Sequence, residues 1–218
     1  MATLYATPLS ANGRKVLAAG RHLGLAVDVR IVDVYRGEGR SPEYLALHPL
    51  GKIPALVDGD LVLWESNAIL MYLSERHAGF RLWSRDPAER ADIARWLFWE
   101  ASEWQPALAQ ILAGFVGRLV VPQMAALPPV DVDWADARFR RVAGFLEGHL
   151  DGRQYVAGSG RDLTLADLSV AGMMTYARAA GFPSTAFPAL AAWYARIEAL
   201  EAWQATAAGP WRGPGAAA

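Results

Sequence analysis

The order of strand and helix patterns in the first part of the chain constrains its fold more than any other feature. An apolar strand pattern at 2–6, an amphipathic helix pattern at 14–23 and an alternating strand pattern at 27–31 follow one another. A short helix, a hairpin that turns at Asp58 and Gly59, and a third helix come next. A strand–helix–strand unit favours parallel neighbours and a hairpin adds antiparallel ones, so the sequence predicts a partly parallel sheet with packed helices.

Strand patterns stop near residue 80, and only helical periodicity follows. We predict four long helices, over residues 88–116, 133–150, 164–180 and 188–203. A Gly/Pro/Ala-rich stretch ends the chain, and such a stretch packs poorly. The predicted fold class is therefore α/β followed by all-α, with an α/β domain over 1–79, an all-helical domain over 87–208 and a loose tail over 209–218.

Composition excludes several classes of function. The formal net charge is −1 and no basic stripe occurs, which argues against nucleic acid or an anionic membrane surface as the partner. The chain has no cysteine, so a disulfide, a thiolate–metal site and a cysteine nucleophile are impossible. No apolar run approaches the about 20 residues of a membrane span. We expect a cytoplasmic protein without a metal, in which any reactive thiol belongs to a ligand.

Three short polar segments lie where predicted strands end or helices begin. Ser10 and Asn12 follow the first strand, residues 52–54 precede the hairpin, and Glu65 and Ser66 open the third helix. Ligands of open α/β sheets bind at such strand ends, and helix N-termini bind anions. An anion-binding serine beside a cation-binding glutamate suits the α-amino-acid end of a peptide. The sequence therefore predicts one ligand site built from these segments.

The same residues also have purely structural explanations. Ser10 and Ser66 have the side-chain chemistry of helix N-caps, and acidic Glu65 is favourable near a positive helix end. Pro54 fits an edge-strand position as well as a cis peptide bond. Capping and ligand binding therefore remain alternatives at this stage.

The stretches "SANGRKV", "HPLGKIPAL" and "WESNAILMYL" occur in an order that resembles the glutathione S-transferase family. The resemblance is strongest to its serine-type members, which are the theta-like and related bacterial forms, and it covers the whole chain. It implies a thioredoxin-like N-terminal domain, an all-helical C-terminal domain and a homodimer. It also implies glutathione as co-substrate and a small apolar electrophile as the second substrate.

The resemblance implies particular roles for the polar segments. Glu65 and Ser66 would bind the γ-glutamyl group of glutathione, and Ile53, before a cis proline, would pair its backbone with the cysteinyl part. The glycine carboxylate would be bound by basic side chains. The implied glutathione-binding residues are Arg40, Lys52, Ile53, Pro54, Glu65 and Ser66.

Ser10 would then activate the thiol of glutathione. A free thiol has a pKa near about 8.5, so only a few per cent is thiolate at pH 7. A hydroxyl that donates a hydrogen bond to sulfur, together with a positive helix end, lowers that pKa. Lowering it by about two units requires roughly 2.7 kcal/mol. Asn12 lies two residues further on and could share or replace this role.

The second substrate should bind between the two domains. Aromatic side chains surround the predicted helix over 88–116, and most of them are expected in the core or in a dimer contact. Among them we predict that Trp104 lines the electrophile pocket. Two other functions remain open: a glutathione-dependent disulfide reductase or peroxidase in which Asn12 is the more important residue, and a non-catalytic glutathione-transferase-like binding module.

Overall fold

The computed structural model describes residues 1–207, apart from the side chain of Pro122. The tail predicted over 209–218 lies outside these residues. The N-terminal part alternates strands and helices as predicted: β1 (Thr3–Ala6), α1 (Ala11–His22), β2 (Asp28–Ile31), α2 (Pro42–Leu45), β3 (Ala55–Asp58), β4 (Leu61–Trp64) and α3 (Ser66–His77). Two short 3-10 turns, Val34–Arg36 and Glu38–Arg40, lie between β2 and α2.

The four strands form one mixed sheet in the order β2-β1-β3-β4. Strands β1 and β2 are parallel, with Ala6 aligned to Ile31. Strand β3 is antiparallel to both β1 and β4. The prediction of a partly parallel sheet with an antiparallel hairpin is confirmed. Since β1 and β3 are antiparallel neighbours, the polar segment that follows β1 and the one that precedes β3 lie at the same edge of the sheet.

The C-terminal part contains helices and no strand within its described residues, which confirms the predicted fold class. Its helices are α4 (Pro87–Trp99), α5 (Gln105–Val120), α6 (Ala137–Leu150), α7 (Leu165–Met173), α8 (Pro188–Glu198) and α9 (Glu201–Gln204). Within residues 1–207, no helix combines the length and the apolar character that crossing a bilayer requires.

Four predicted helix bounds were wrong. The helix expected over 88–116 is two helices joined by a π-helical turn, Glu100–Trp104, because Pro106 cannot donate a hydrogen bond to the preceding turn. The helix expected over 133–150 begins later, after Asp136 caps it. The last two predicted helices are shorter, since α7 ends in a run of turns and a break at Ala199 and Leu200 separates α8 from α9.

Thr164 and Asp167, which have capping-box spacing, begin α7 as that spacing predicts. The Asp167 carboxylate accepts hydrogen bonds from the Thr164 N–H at 2.9 Å, the Val156 N–H at 2.7 Å and the Trp193 indole at 2.9 Å. Burial raises the pKa of Asp167 against the effect of these donors. The carboxylate thus joins α7 to α8 and to the loop after α6, and helix α1 of the sheet domain packs on α7.

Candidate active site

Two adjoining cavities lie where the sheet domain meets the helical domain. The smaller, of about 170 Å³, is polar and is lined by Asn12, His48, Lys52, Ile53, Pro54, Glu65, Ser66, Asn67, Glu100, Ala101 and Gln105. The larger, of about 330 Å³, is mainly apolar, and its lining includes Leu9, Ser10, Tyr35, Leu112, Val116, Val120 and Tyr176. Asn12 and Gln105 line both cavities, so the two adjoin at these side chains.

Most of the residues singled out from the sequence meet at this junction. Ser10 lines the apolar cavity, Asn12 lines both, and the segments around Pro54 and Ser66 line the polar one. The Ile53–Pro54 peptide bond is cis, as the resemblance implied. Arg40 is exposed and lines neither cavity, although Gly39 packs against the carbonyl of Gly51, directly before Lys52.

The prediction that Trp104 lines the electrophile pocket is wrong. Its side chain is 0% exposed, and its indole N–H donates to the carbonyl of Val170 at 3.0 Å. The ring stacks on Trp99 and contacts Phe139, so it belongs to the core of the helical domain. The apolar cavity is lined instead by aliphatic residues of α5, among them Leu112 and Val116.

Ser10 both caps α1 and faces the apolar cavity. Its Oγ accepts a hydrogen bond from the N–H of Gly13 at 3.2 Å. A hydroxyl that accepts through a lone pair keeps its own hydrogen, so Ser10 can still donate one bond. The helix turn lies tightly against the preceding loop, since a Cβ on Gly13 would be 2.5 Å from the carbonyl oxygen of Thr7. Capping therefore positions a hydroxyl donor at the positive end of a helix.

Glu65 and Ser66 present a second helix end to the polar cavity. Glu65 has a φ of 75°, an uncommon conformation for a residue with a side chain, and such strain is frequent at functional sites. The buried Ser66 is the first residue of α3, and its hydroxyl donates to Oδ1 of Asn12 at 3.2 Å. This bond joins the two helix starts. The carboxylate of Glu65 is exposed beside the anion-binding end of α3.

A buried ion pair connects the N-terminal turns of α1 and α3 to the helical domain. Nζ of Lys15, on α1, lies 3.0 Å from Oε2 of Glu100, and both side chains are 1% exposed. The amide of Asn67, on α3, donates to the same carboxylate at 3.1 Å, and Ser169 of α7 donates to Asn67 at 2.7 Å. Burial lowers the pKa of Lys15, and Glu100 partly offsets this. Side chains from three helices of the two domains, α1, α3 and α7, thus meet around the carboxylate of Glu100.

Sequence reasoning missed several residues of the polar cavity. Asn67 follows directly after Ser66, and its position next to a predicted glutathione-binding residue could have marked it as part of the site. Glu100 is a lone acid that ends the aromatic stretch "WLFWE", and a charge in such a run is a signal for a buried, paired carboxylate. Among the described residues, no three His, Asp or Glu side chains lie close enough together to bind a metal ion.

His48 is a buried base on the wall of the polar cavity. Its ring contacts Tyr44 and Trp64, and its Nδ1 accepts a hydrogen bond from the N–H of Leu50 at 3.3 Å. Burial lowers the pKa of the imidazole. The ring is therefore neutral at pH 7, with its hydrogen on Nε2.

His48→Asn is expected to make stability less sensitive to acid. The folded-state pKa lies below the ordinary value near about 6.5, so the unfolded chain binds more protons and stability falls as pH drops through this region. The wild type should lose up to about 1.4 kcal/mol per pH unit more than the variant. Asparagine still offers an oxygen to Leu50 N–H but does not titrate. Urea unfolding at a series of pH values measures this, and the two stability curves should run parallel above pH 7. Curves that also stay parallel below about pH 6.5 would contradict the assignment.

The fold and the two cavities define a two-domain protein with a polar cavity next to an apolar one. Residues 4–81 match the family model described as the glutathione S-transferase N-terminal domain, and residues 103–196 match that of its C-terminal domain. A probable glutathione S-transferase GSTF2 of Oryza sativa subsp. japonica is 33% identical over 208 residues, which is 94% of each chain. The chain therefore belongs to the glutathione S-transferase family.

Solved structures give the same result for the fold. Glutathione transferase F7 from Populus trichocarpa superimposes with a TM-score of 0.81 at 28% identity, over 95% of this chain and 98% of that one. The theta class enzyme of Xanthomonas axonopodis pv. citri, solved with glutathione bound, also gives 0.81, at 29% identity over 95% and 97% of the chains. Relatives from different groups match equally well, so the comparisons assign the family and not a class within it.

Proposed function

We propose that this protein is a glutathione transferase of the serine type, which joins the glutathione thiolate to a small apolar electrophile. The observation that supports this best is the shared wall of the two cavities at Asn12 and Gln105. A peptide in the polar cavity would place its thiol at this junction, beside the hydroxyl of Ser10. The apolar cavity then offers the electrophile a binding site next to the sulfur.

Within this proposal, each end of glutathione has a complementary partner. The exposed carboxylate of Glu65 suits the ammonium of the γ-glutamyl group, and the start of α3 at Ser66 suits its carboxylate. The backbone of Ile53 would pair with the cysteinyl part. Lys52 lines the same cavity and would bind the glycine carboxylate, with Arg40 as a more distant second cation. The protein supplies no nucleophile of its own and only tunes that of glutathione.

Activity with glutathione against two substrate panels tests the proposal. One panel contains aryl and alkyl halides, and the other contains organic disulfides and peroxides. Conjugation of halides supports the transferase. Turnover of the second panel alone favours a reductase, for which the amide of Asn12 at the cavity junction is the structural argument. Glutathione binding with no turnover in either panel would indicate a non-catalytic module.

Ser66→Ala is expected to weaken glutathione binding about ten- to a hundredfold, because it removes a hydroxyl that contacts a charged ligand group. It also removes the hydrogen bond to Asn12. Retention on immobilised glutathione and titration calorimetry measure the change. Ser184→Ala, at a serine remote from the cavities, is the matched control. Undiminished binding by the Ser66 variant would overturn the γ-glutamyl assignment.

We also propose that two copies form a homodimer. Phe98 on α4 is 72% exposed, and the edge strand β4 exposes Val62 and Trp64, so large apolar side chains lie on the surface of the single chain. Phe98→Glu is expected to halve the molar mass in analytical ultracentrifugation, since an interface core does not accommodate an unpaired charge. Leu127→Glu, at another exposed apolar residue, should leave the mass unchanged. A wild type that sediments as a monomer would refute the dimer.

The proposed reaction also suggests where the protein acts. Glutathione keeps thiols reduced in the cytosol, so a glutathione transferase has its co-substrate there. We therefore include a cytoplasmic location in the proposal, with detoxification of apolar electrophiles as the role. Fractionation of cells that express the tagged chain tests the location.

A further inference from the structure

The apolar cavity extends along α5, away from the polar cavity. Its lining on this helix runs from Gln105, which also lines the polar cavity, to Val120 at the helix end and Val121 just beyond it. A rise of about 1.5 Å per residue separates these two ends by roughly 24 Å. Val120 and Val121 pack in one apolar cluster with Leu9 and Tyr176. They therefore form the end of the cavity that lies opposite the polar one.

The chain doubles back along α5 directly after Val121. Residues 121–136, here called the return segment, join α5 to α6. Their secondary structure is one 3-10 turn, Pro122–Met124, followed by turns and irregular chain. The carbonyl of Pro128 accepts a hydrogen bond from the guanidinium of Arg118 on α5. The return segment is thus tied to the last turns of the helix that it follows.

Two glycines of α5 receive side chains of the return segment. A Cβ on Gly114 would lie 3.0 Å from Cγ1 and 3.1 Å from Cγ2 of Val130, and a Cβ on Gly117 would lie 2.9 Å from Cε of Met124. Residues three apart on a helix are neighbours on one face, so the two glycines form adjacent notches. Gly117 also lines the apolar cavity, so the segment packs against the cavity wall. The absence of two side chains on α5 is what allows this close packing.

The apolar side chains of the return segment are only partly buried. Leu127 is 51% exposed and Val130 is 38% exposed. Since burial energy scales with the apolar area removed from water, such side chains contribute little to holding the segment in place. Segments with few buried contacts open locally at a low cost in free energy, and active-site lids are drawn from them. The return segment therefore has the physical properties of a lid.

We propose that the return segment is a lid on the apolar cavity, and that its docking on Gly114 and Gly117 limits the length of the electrophile. This inference rests on the proposed transferase function and adds the selection of acceptors to it. While the lid is docked, the cavity of about 330 Å³ ends at Val121. When the two side chains leave their glycines, the lid releases this end, and a long acceptor extends past it. Short acceptors fit the closed cavity, so only long ones depend on opening.

Gly114→Ala tests the lid by filling one notch. Valine is β-branched and stiff, so the new methyl group displaces Val130 together with the backbone of the segment. Gly117→Ala is expected to have a smaller effect, because the flexible end of Met124 moves aside. Gly144→Ala is the matched control. Gly144 lies in α6, where a Cβ meets no atom within 4 Å, and the gain in helix propensity is the same.

Limited proteolysis measures the opening of the lid without any turnover. Elastase cleaves after small residues and has sites at Ala125 and Ala126 within the return segment. Cleavage of a transiently opened segment tracks the population of the open form, so Gly114→Ala should be cut here about fivefold faster than the wild type. Gly144→Ala should be cut at the wild-type rate, and mass spectrometry identifies the cleaved bond.

Kinetics with butyl iodide and decyl iodide measure the selection of acceptors. The ratio of kcat/KM for decyl iodide to that for butyl iodide should rise about fivefold in Gly114→Ala, since the open form is populated more. The ratio should rise less in Gly117→Ala and stay at the wild-type value in Gly144→Ala. This ratio does not depend on how much of a variant is folded.

The outcomes separate this inference from the proposal on which it rests. A wild type that conjugates neither iodide, nor any halide of the first panel, refutes the transferase function, while the elastase rates still decide whether the segment opens. Equal cleavage of Gly114→Ala and Gly144→Ala overturns the lid. Faster cleavage of Gly114→Ala with an unchanged ratio of the two iodides overturns the selection of acceptors by length.

Discussion

Ser10→Ala is expected to raise the pKa of enzyme-bound glutathione by about one to two units, because it removes one charge-assisted hydrogen bond of about 1.5–3 kcal/mol to the thiolate. Since the bound thiol of the wild type should have a pKa near about 6.5, the thiolate fraction at pH 7, and with it the conjugation rate, should fall about 3- to 25-fold, and the loss should shrink as the pH rises and the thiol ionises unaided. The thiolate absorbance of the binary complex, titrated against pH, measures the shift directly.

The cap function of Ser10 must be separated from its chemistry. Its Oγ accepts the N–H of Gly13, so alanine also weakens α1 by about 1 kcal/mol. Ser10→Gly loses only a few tenths of a kcal/mol as a cap and yet removes the hydroxyl completely. Ser10→Thr keeps both the oxygen and its hydrogen. If the hydroxyl binds sulfur, the glycine variant should match alanine in thiol pKa, and threonine should match the wild type.

Asn12 offers the competing explanation. Its Oδ1 accepts the hydroxyl of Ser66, which leaves the amide nitrogen as the group that could contact sulfur at the cavity junction. If Ser10 is the donor to sulfur, Asn12→Ala should disturb glutathione binding through the lost bond to Ser66 and leave the thiol pKa nearly unchanged. A raised thiol pKa in Asn12→Ala, together with a normal one in Ser10→Ala, would transfer the role to the amide.

The site could be predicted from the sequence where function coincides with a boundary of secondary structure. Ser10, Pro54 and Ser66 each stand at a strand end or helix start, and periodicity locates such boundaries to within a few residues. Strand order then brings them together, because β1 and β3 are neighbours and α3 follows the hairpin. From the sequence, capping and hydrogen-bond donation were alternatives at Ser10. The structure shows the cap, and a hydroxyl that accepts this bond keeps its own hydrogen for donation.

The residues that escaped prediction depend on packing between distant segments. Trp104 was assigned to the wrong surface because aromatic residues surround the helix and the π-helical turn shifts its faces by one residue. The partners of Glu100 are separated from it in sequence by 85 residues at Lys15 and by 69 at Ser169. Local pattern gives no measure of such contacts. Apolar periodicity likewise predicts that a helix is present but not where it ends. At Met173, turns replace the expected continuation of α7.

Lys15→Met is expected to lower the free energy of unfolding by about 3–5 kcal/mol, because it leaves the carboxylate of Glu100 buried without its cation. Urea unfolding measures the change. The exposed pair of Arg178 with Glu198 is the matched control: its cation is 65% exposed, so Arg178→Met should cost no more than about 1 kcal/mol.

The double variant Lys15→Met with Glu100→Gln separates an uncompensated charge from lost packing. With no charge left in the core, it should recover most of the stability lost in Lys15→Met, since replacing a whole buried pair is far less costly than breaking it. Glutamine still offers an oxygen to the amide of Asn67, so the start of α3 should keep its support and glutathione affinity should recover with stability. A double variant no more stable than Lys15→Met would mean that the lysine stem, packed between α1 and α7, matters more than its charge. In that case the pair would be a consequence of how the two domains pack and would not be what positions Ser10 and Ser66.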